Sequence, residues 1–480
     1  MIDVHGTSII MVFASSLESS FSSSESTPEF IRKTKALDRR RGGGEKRLQP
    51  LFSLESLMKK TIIAASLTAL AMGPAFAAIN PHNEAMGKET TYDEKSDNQK
   101  GKLTGGWYYQ EENVQENTDL NHGSVSTNIT LTGGSFDELI GGNHIKQPTY
   151  KEGTHNVTIG DTKVTMTGGS VEYFIGGSKA NNSDKTTLIT GDVTAVISGG
   201  SIGNQSSTSE YPVSAIGGSY VKSTGNPGEG TPASTTAETG NISLSISGGT
   251  FYGAVFGGSV ADNYGSTEGQ KPILKNISGI SELKIQGGKF ESSKFGVFGG
   301  SAAIGMKSAT TSSGSSVSIN NTSETLIDIV GRVVGGDLLT YGGSGENATS
   351  SKINGSTSVS ITGSGEIKTS ESVIGGSLLN LLEKDEESSS TISGTSEIVI
   401  DAANAVLGDE VIGGSYVRTQ KDTGDASASV KGTSVTIKAG TINGNVVGGG
   451  KVNGKHGTVE SSVDGDTVIS IFGGTVNGAV

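Results

Sequence analysis

The chain has 480 residues, a formal net charge of −13, 73 glycines and no cysteine. The absence of cysteine excludes disulfides and thiolate metal ligands. The glycines follow no three-residue period, which excludes a collagen helix. Residues 78–480 contain only two arginines, Arg332 and Arg418. Nucleic-acid backbones are bound by clusters of Arg and Lys, so we expect no nucleic-acid partner.

A secretory signal is predicted at residues 58–77, within "MKKTIIAASLTALAMGPAFAA". Two lysines precede an apolar run, and the small residues Ala75 and Ala77 end it, as is typical of a cleaved signal peptide. The apolar run is shorter than the roughly 20 residues that span a bilayer. We predict cleavage between Ala77 and Ala78, and therefore an exported protein.

Residues 1–57 precede this signal and have no usable periodicity. They are rich in serine and then basic, with "RKTKALDRRR" before the signal. Because a signal peptide normally opens a protein, we interpret Met58 as the initiator. Residues 1–57 are then a spurious or disordered N-terminal extension.

Residues 78–124 form a polar, acidic segment without the repeat described below. It contains "GGWYYQEEN", in which Trp107, Tyr108 and Tyr109 are adjacent. These aromatic side chains could form an adhesive patch or cover the first repeat. A cap is the favoured interpretation, because terminal repeats of a solenoid need covering.

An apolar residue followed by Gly-Gly recurs nine times after this segment. The first glycine of each pair lies 35, 41, 40, 42, 36, 40, 38 and 35 residues from the one before it. The pairs begin at Gly141, Gly176, Gly217, Gly257, Gly299, Gly335, Gly375, Gly413 and Gly448. A fixed long period of this kind is the signature of a repeat fold.

Each repeat also carries an alternating stretch upstream, such as "ITLTGGSF" from Ile129 and "LSISGGTF" from Leu244. Apolar residues at every second position predict a strand with one buried face. The glycines that follow permit a sharp corner, because glycine tolerates positive φ. Each repeat is therefore predicted to contain a strand, a corner, a second strand and an apolar-Gly-Gly strand, with a variable polar loop leading onward.

We predict an all-β protein, a right-handed parallel β-helix of about ten Gly-rich repeats of ~38 residues over residues 125–480. Equivalent residues would stack as ladders along the inside, including the apolar residue before Gly-Gly. The pattern leaves open whether one repeat forms one coil or two. A β-propeller is disfavoured, since Trp107 is the only tryptophan and precedes the repeats.

The signal peptide and the "GGSF…IGGS" repeats resemble the passenger of a Gram-negative autotransporter, a type V secreted protein. The resemblance covers roughly residues 58–480. It implies export, passage through a C-terminal outer-membrane barrel, and folding outside the cell. Such passengers are commonly adhesins or aggregation factors and less often enzymes. Because "GTVNGAV" at the chain end stops before the next Gly-Gly pair, we expect a passenger truncated before its barrel.

No catalytic, cofactor or metal site is predicted. The serines after Gly-Gly repeat in register, which indicates a structural role; they are Ser178, Ser219, Ser259, Ser377 and Ser415. His144 and His155 lack the spacing of a metal site. Asp401, Asp409 and Glu410 lie in one repeat, and we expect them at solvated loop ends without basic partners.

The expected function is a non-enzymatic binding scaffold at the cell surface or outer membrane, or secreted, most simply an adhesin or aggregation passenger. Its partners would be a host-cell, matrix or glycan ligand, or further copies of itself. The alternative is a carbohydrate-active β-helix enzyme, a polysaccharide lyase or hydrolase, because many of these share the fold.

Overall fold

The computed structural model describes residues 101–109, 119–123, 125–146, 154–181, 185–206, 212–222, 234–263, 273–291, 296–342, 347–382, 387–419, 424–454 and 458–480. All belong to the compact unit from Pro74 to Val480. The extension, the signal peptide and the cleavage site at Ala75, Ala77 and Ala78 lie outside this part of the chain. Among the described residues no helix is long and apolar enough to cross a membrane.

The described chain is an all-β solenoid in which every paired strand is parallel to its neighbour. A complete turn contains five strands, separate in the turn formed by β11 (Lys185–Thr190), β12 (Val193–Ile197), β13 (Ser201–Ile202), β14 (Val213–Ile216) and β15 (Tyr220–Lys222). These are called the first to fifth strands. The first four belong to a 32-stranded sheet and the fifth to a ten-stranded sheet.

First strands of the other turns are β3 (Asp119–His122), β7 (Thr154–Ile159), β16 (Ser234–Thr239), β29 (Thr349–Ile353) and β40 (Val459–Val463). Second strands are β4 (Thr127–Leu131), β8 (Thr162–Met166), β17 (Ile242–Ile246), β30 (Thr357–Gly363) and β41 (Thr467–Ile471). The first and second positions are continuous in β21 (Ile273–Ile285) and β25 (Ser308–Asn321), and continue into the third in β34 (Ser388–Leu407) and β37 (Ala426–Ile442).

Third strands are β18 (Thr250–Phe251), β22 (Lys289–Phe290), β26 (Ile327–Ile329), β31 (Ile367–Thr369) and β42 (Thr475–Val476). Fourth strands are β1 (Lys102–Thr104), β19 (Ala254–Phe256), β23 (Gly296–Phe298), β27 (Arg332–Val334), β32 (Val373–Ile374), β35 (Val411–Ile412) and β38 (Val446–Val447); β5 (Ser135–Ile140) and β9 (Ser170–Ile175) cover both positions. Fifth strands are β2 (Tyr108–Tyr109), β6 (His144–Lys146), β10 (Lys179–Asn181), β20 (Val260–Asp262), β24 (Ala302–Ile304), β28 (Leu338–Thr340), β33 (Leu378–Leu381), β36 (Tyr416–Thr419) and β39 (Lys451–Asn453).

One sequence repeat forms one turn of the solenoid. His144 pairs with Lys179, Lys179 with Tyr220 and Tyr220 with Val260, so the register follows the spacing of the Gly-Gly pairs. The prediction of a parallel β-helix of ~38-residue repeats is confirmed, and the choice between one coil and two is decided in favour of one. Strand pairing begins at β1 and β2, within the polar segment 78–124.

The central core consists of columns of stacked apolar side chains. The second strands place alternate residues in it, such as Leu244, Leu283 and Val317, which pair in consecutive turns and are buried. Phe251 and Phe290 stack in the same core with ring centroids 4.8 Å apart. That distance equals the ordinary spacing between parallel strands, so identical side chains fit above one another. The corner after the second strand contains glycines with positive φ, as Gly200 does at 95°.

The apolar residue before the Gly-Gly pair is also buried in every turn except the last, where Val447 is half-buried, but in a second cluster. Ile216 and Ile374 pack there with fifth-strand side chains such as Tyr220, whereas the adjacent Ala215 lies in the central core. Successive strand residues point to opposite faces, so both faces of the fourth strand are covered. The ladder predicted on the inside therefore lies on the face opposite the central core.

Close approach of successive turns explains the Gly-Gly pairs better than backbone conformation does. Neither Gly335 nor Gly336 has positive φ. A Cβ atom at Gly335 would lie 2.5 Å from the carbonyl oxygen of Gly375 in the next turn. Since both atoms belong to closely stacked backbone, no side chain can be accommodated there.

A polar ladder follows the Gly-Gly pairs. The backbone N–H of Ser178 donates to Ser219 Oγ at 3.2 Å, that of Ser219 to Ser259 Oγ at 3.0 Å, and that of Ser259 to Ser301 Oγ at 3.0 Å. The ladder continues through Asp337 to Ser377. These serines are buried and satisfy the backbone of the preceding turn, so the structural interpretation from their register is supported.

Candidate functional site

The outward side of the second strands presents a long row of side chains, here called the hydroxyl face, in which Thr or Ser occupies seven of ten positions and Val196, Lys284 and Val399 occupy the others. Its members pair in consecutive turns and are mostly half-buried; they are Thr130, Thr165, Val196, Ser245, Lys284, Ser318, Ser360, Val399, Thr436 and Ser470. Strand stacking spaces them by about 4.8 Å. The face therefore offers a repeated set of hydrogen-bonding groups along the solenoid axis.

A second candidate lies beside the fourth and fifth strands of the later turns and is here called the arginine cluster. Arg332 forms an ion pair with Glu371, and its side chain is 11% exposed. Burial lowers the pKa of Arg332, the positive charge of Arg418 acts in the same direction, and Glu371 opposes it. The two arginines of residues 78–480 are thus electrostatic neighbours, although 86 residues separate them.

Acidic and aromatic groups complete the arginine cluster. Lys451 forms an ion pair with Glu410, and its Nζ lies 5.3 Å from the ring centroid of Tyr416. The Asn445 Nδ2 group donates to Glu410 Oε1 at 3.0 Å. Burial raises the pKa of Glu410, but the hydrogen bonds from Lys451 and Asn445 outweigh it and lower the pKa below its usual value. The carboxylate is therefore held ionised.

The expectation that the acidic residues of this repeat lack basic partners is wrong. Asp401 Oδ2 lies 3.5 Å from Lys438 Nζ, and Glu410 forms an ion pair with Lys451. Asp409 accepts a hydrogen bond from Ser372 at 2.8 Å and interacts electrostatically with Arg332. The partners come from other turns, because stacking brings together residues that are about one repeat apart in sequence.

A third polar cluster lies in the first turns and is buried. Lys179 Nζ lies 2.8 Å from Glu138 Oε1 and 5.2 Å from the ring centroid of Tyr220. The Tyr220 hydroxyl donates to Asp262 Oδ2 at 2.8 Å. Burial raises the pKa of Tyr173, beside them, to about 12, with nearby carboxylates acting in the same direction. Ion pairs and hydrogen bonds connect these buried groups, which is the arrangement of a structural network.

The aromatic and histidine residues singled out in the sequence have different positions. Tyr108 is buried in β2, the fifth strand of the first described turn. Trp107 is partly buried and packs against the apolar cluster that contains Ile145 and Ala180. Both residues thus belong to the first described turn of the solenoid, and the choice between a cap and an adhesive patch stays a prediction. His144 is fully buried with its ring edge against Tyr108, and His155 lies in β7. Within the described residues no group of three or more His, Asp or Glu side chains is placed to hold a metal ion.

Sequence reasoning did not identify the Glu138–Lys179 pair, the arginine cluster or the acidic member of the serine ladder. The last of these had a signal: "VVGGDLL" places Asp337 where "VIGGSLL" places Ser377. No sequence signal pointed to the ion pairs, because the register of their partners depends on loops of variable length.

No protein-family model, curated protein or solved structure matches this chain. The resemblance to autotransporter passengers therefore stays a prediction from the sequence.

Proposed function

We propose that this chain is an exported, surface-displayed or secreted binding scaffold, of the adhesin or aggregation type found among autotransporter passengers. The observation that supports it is the hydroxyl face, an outward row in which Thr or Ser occupies seven of ten successive turns. A row with a constant spacing favours an extended ligand with a repeated structure, such as a glycan or a matrix fibre.

The charged side chains support binding rather than catalysis. General acid–base chemistry needs side chains whose pKa lies near the operating pH. Instead, Glu410 is held ionised by Lys451 and Asn445, and Arg332 is paired with Glu371. Such pairs suit a rigid surface that presents fixed hydrogen-bonding groups.

A binding assay tests this proposal. The full chain is incubated with immobilised glycans, matrix proteins and cultured cells, and is compared with the double variant Ser318→Glu/Ser360→Glu. These two serines pair in adjacent turns of the hydroxyl face, so the added charges should abolish binding there. Ser389→Glu, at an exposed position of β34 on a first-strand segment, is the matched control and should retain binding.

Unchanged binding by the double variant would show that another surface is used, and no binding to any ligand would contradict the proposal. The alternative, a carbohydrate-active enzyme, is favoured by one observation: the arginine cluster combines carboxylates with cations and an aromatic ring. Its test is release of reducing or unsaturated sugars from polysaccharides. Release that is lost in Glu410→Gln would establish the alternative.

A further inference from the structure

Asp337 is an exception in the buried serine ladder. It occupies the position of Ser301 and Ser377 in the adjacent turns and is fully buried. Its Oδ1 accepts the backbone N–H of Ser301 at 2.6 Å, and its Oδ2 accepts the hydroxyls of Thr310 at 2.8 Å and Ser351 at 2.6 Å. Among the described residues no cationic side chain forms an ion pair with it. A carboxylate is thus placed in the interior without a counter-charge.

A column of polar side chains passes this carboxylate. Asn276, Thr310, Ser351 and Ser390 pair in four consecutive turns and are all buried. The middle two donate to Asp337. The outer two are unsatisfied, since both amide atoms of Asn276 and the Oγ of Ser390 have no hydrogen-bond partner among the described residues. Alanine ends the column on both sides, at positions 237 and 428.

A second, shorter column lies beside the first. Ser278 and Ser312 pair in consecutive turns and are buried, and in the described part of the chain their hydroxyls have no hydrogen-bond partner. Buried polar groups in folded proteins are almost always satisfied, by protein, ordered water or an ion. Unsatisfied oxygens that stack next to Thr310 and Ser351, the two hydroxyl partners of Asp337, therefore indicate a bound species at this point of the interior.

The donor set decides the kind of species. Carboxylate, hydroxyl and amide oxygens are hard ligands, which exclude a preference for the metals that favour sulfur or imidazole. A single carboxylate supplies one negative charge, whereas calcium sites usually combine several. We propose that Asp337, Thr310, Ser351 and Asn276 form an internal site for one monovalent cation, sodium or potassium.

Thermal unfolding of the full chain tests the proposal. Melting temperature is measured in sodium, potassium and tetramethylammonium chloride at equal ionic strength, because tetramethylammonium is too large for the site. Wild type should melt several degrees higher in sodium or potassium, and the better of the two identifies the ion. Asp337→Ser should fold, because serine occupies the same ladder position in adjacent turns, and should lose the difference between salts.

Two further variants sharpen the result. Asn276→Ala, which extends the alanine found one turn earlier at position 237, should reduce the difference between salts. Asp401→Ser, at an exposed carboxylate, should leave it unchanged. Equal melting of wild type in all three salts would overturn the proposal. In that case, a stability of wild type relative to Asp337→Ser that falls as pH rises would show a protonated Asp337 instead.

Discussion

At the scale of single residues, the Glu138–Lys179 pair shows how burial and charge combine. Both side chains are almost fully buried. Burial raises the pKa of Glu138, but attraction by Lys179, His144 and Lys102 outweighs it and lowers the pKa to about 2. Removing one partner of such a pair leaves an uncompensated buried charge, which destabilises the fold.

The low pKa of Glu138 predicts a pH-dependent stability. Because the folded-state pKa lies below the ordinary value of 4.5, the ionised group stabilises the fold above that value, and the stabilisation is lost as pH falls from about 4.5 toward 2. The contribution at neutral pH is on the order of 3 kcal/mol. Urea unfolding at neutral pH and at about pH 3 should show this loss in wild type and a smaller one in Glu138→Gln.

Glu282→Gln serves as the control, because the Glu282 side chain is about half exposed and forms an ion pair with the exposed Lys284. It should keep the wild-type pH dependence. If Glu138→Gln did the same, Glu138 would have an ordinary pKa in the folded chain.

At the scale of the structural element, the Gly-Gly pair determines how closely two turns can stack. A Cβ atom at Gly336 would lie 2.8 Å from the carbonyl oxygen of Gly376 and 2.7 Å from Ser377 Oγ. At Gly449, the equivalent position in a later turn, the nearest atom would be Val463 Cγ2 at 3.9 Å. The same motif is therefore sterically constrained at one position and unconstrained at the other.

This difference predicts unequal effects of one substitution. Gly336→Ala should destabilise the chain by ~1–3 kcal/mol, because the methyl group must displace backbone. Gly449→Ala should change the free energy of unfolding by less than about 0.5 kcal/mol, as at most surface positions. Chemical denaturation of the two variants checks this. Equal losses would indicate that glycine is required for backbone conformation and not for close stacking.

At the scale of the whole molecule, stability in a solenoid is a sum over turns and their interfaces. Side chains in the central turns, such as Phe256, Phe298 and Ile374, are completely buried. In the last described turn, Val468 is 48% and Phe472 77% exposed. The free energy of local opening should therefore differ along the axis.

Hydrogen exchange measured by mass spectrometry should reveal this gradient. Amides of β19 to β35 should exchange slowest, because each strand lies between two others and its side chains are buried. Amides of β40 to β42 should exchange faster by at least an order of magnitude. A uniform rate over both regions would mean that the chain opens as one cooperative unit.

The sequence alone determined the solenoid, because its information is local and repeated. Alternation in "LSISGGTF" defines the buried face of a second strand, and the 35 to 42 residues between Gly-Gly pairs define the length of a turn. The repeated serine after Gly-Gly, in turn, marks the ladder. Each of these patterns appears many times, so the fold class could be predicted without knowledge of any contact.

Contacts between side chains of different turns, by contrast, depend on the folded structure. Arg332 with Glu371, Glu410 with Lys451 and Lys179 with Glu138 join residues 39 to 41 positions apart, and variable loops conceal these registers in the sequence. The structure also placed the apolar-Gly-Gly ladder outside the central core. Strand alternation requires adjacent residues to point to opposite faces, and which of two apolar faces is central depends on how the whole turn closes.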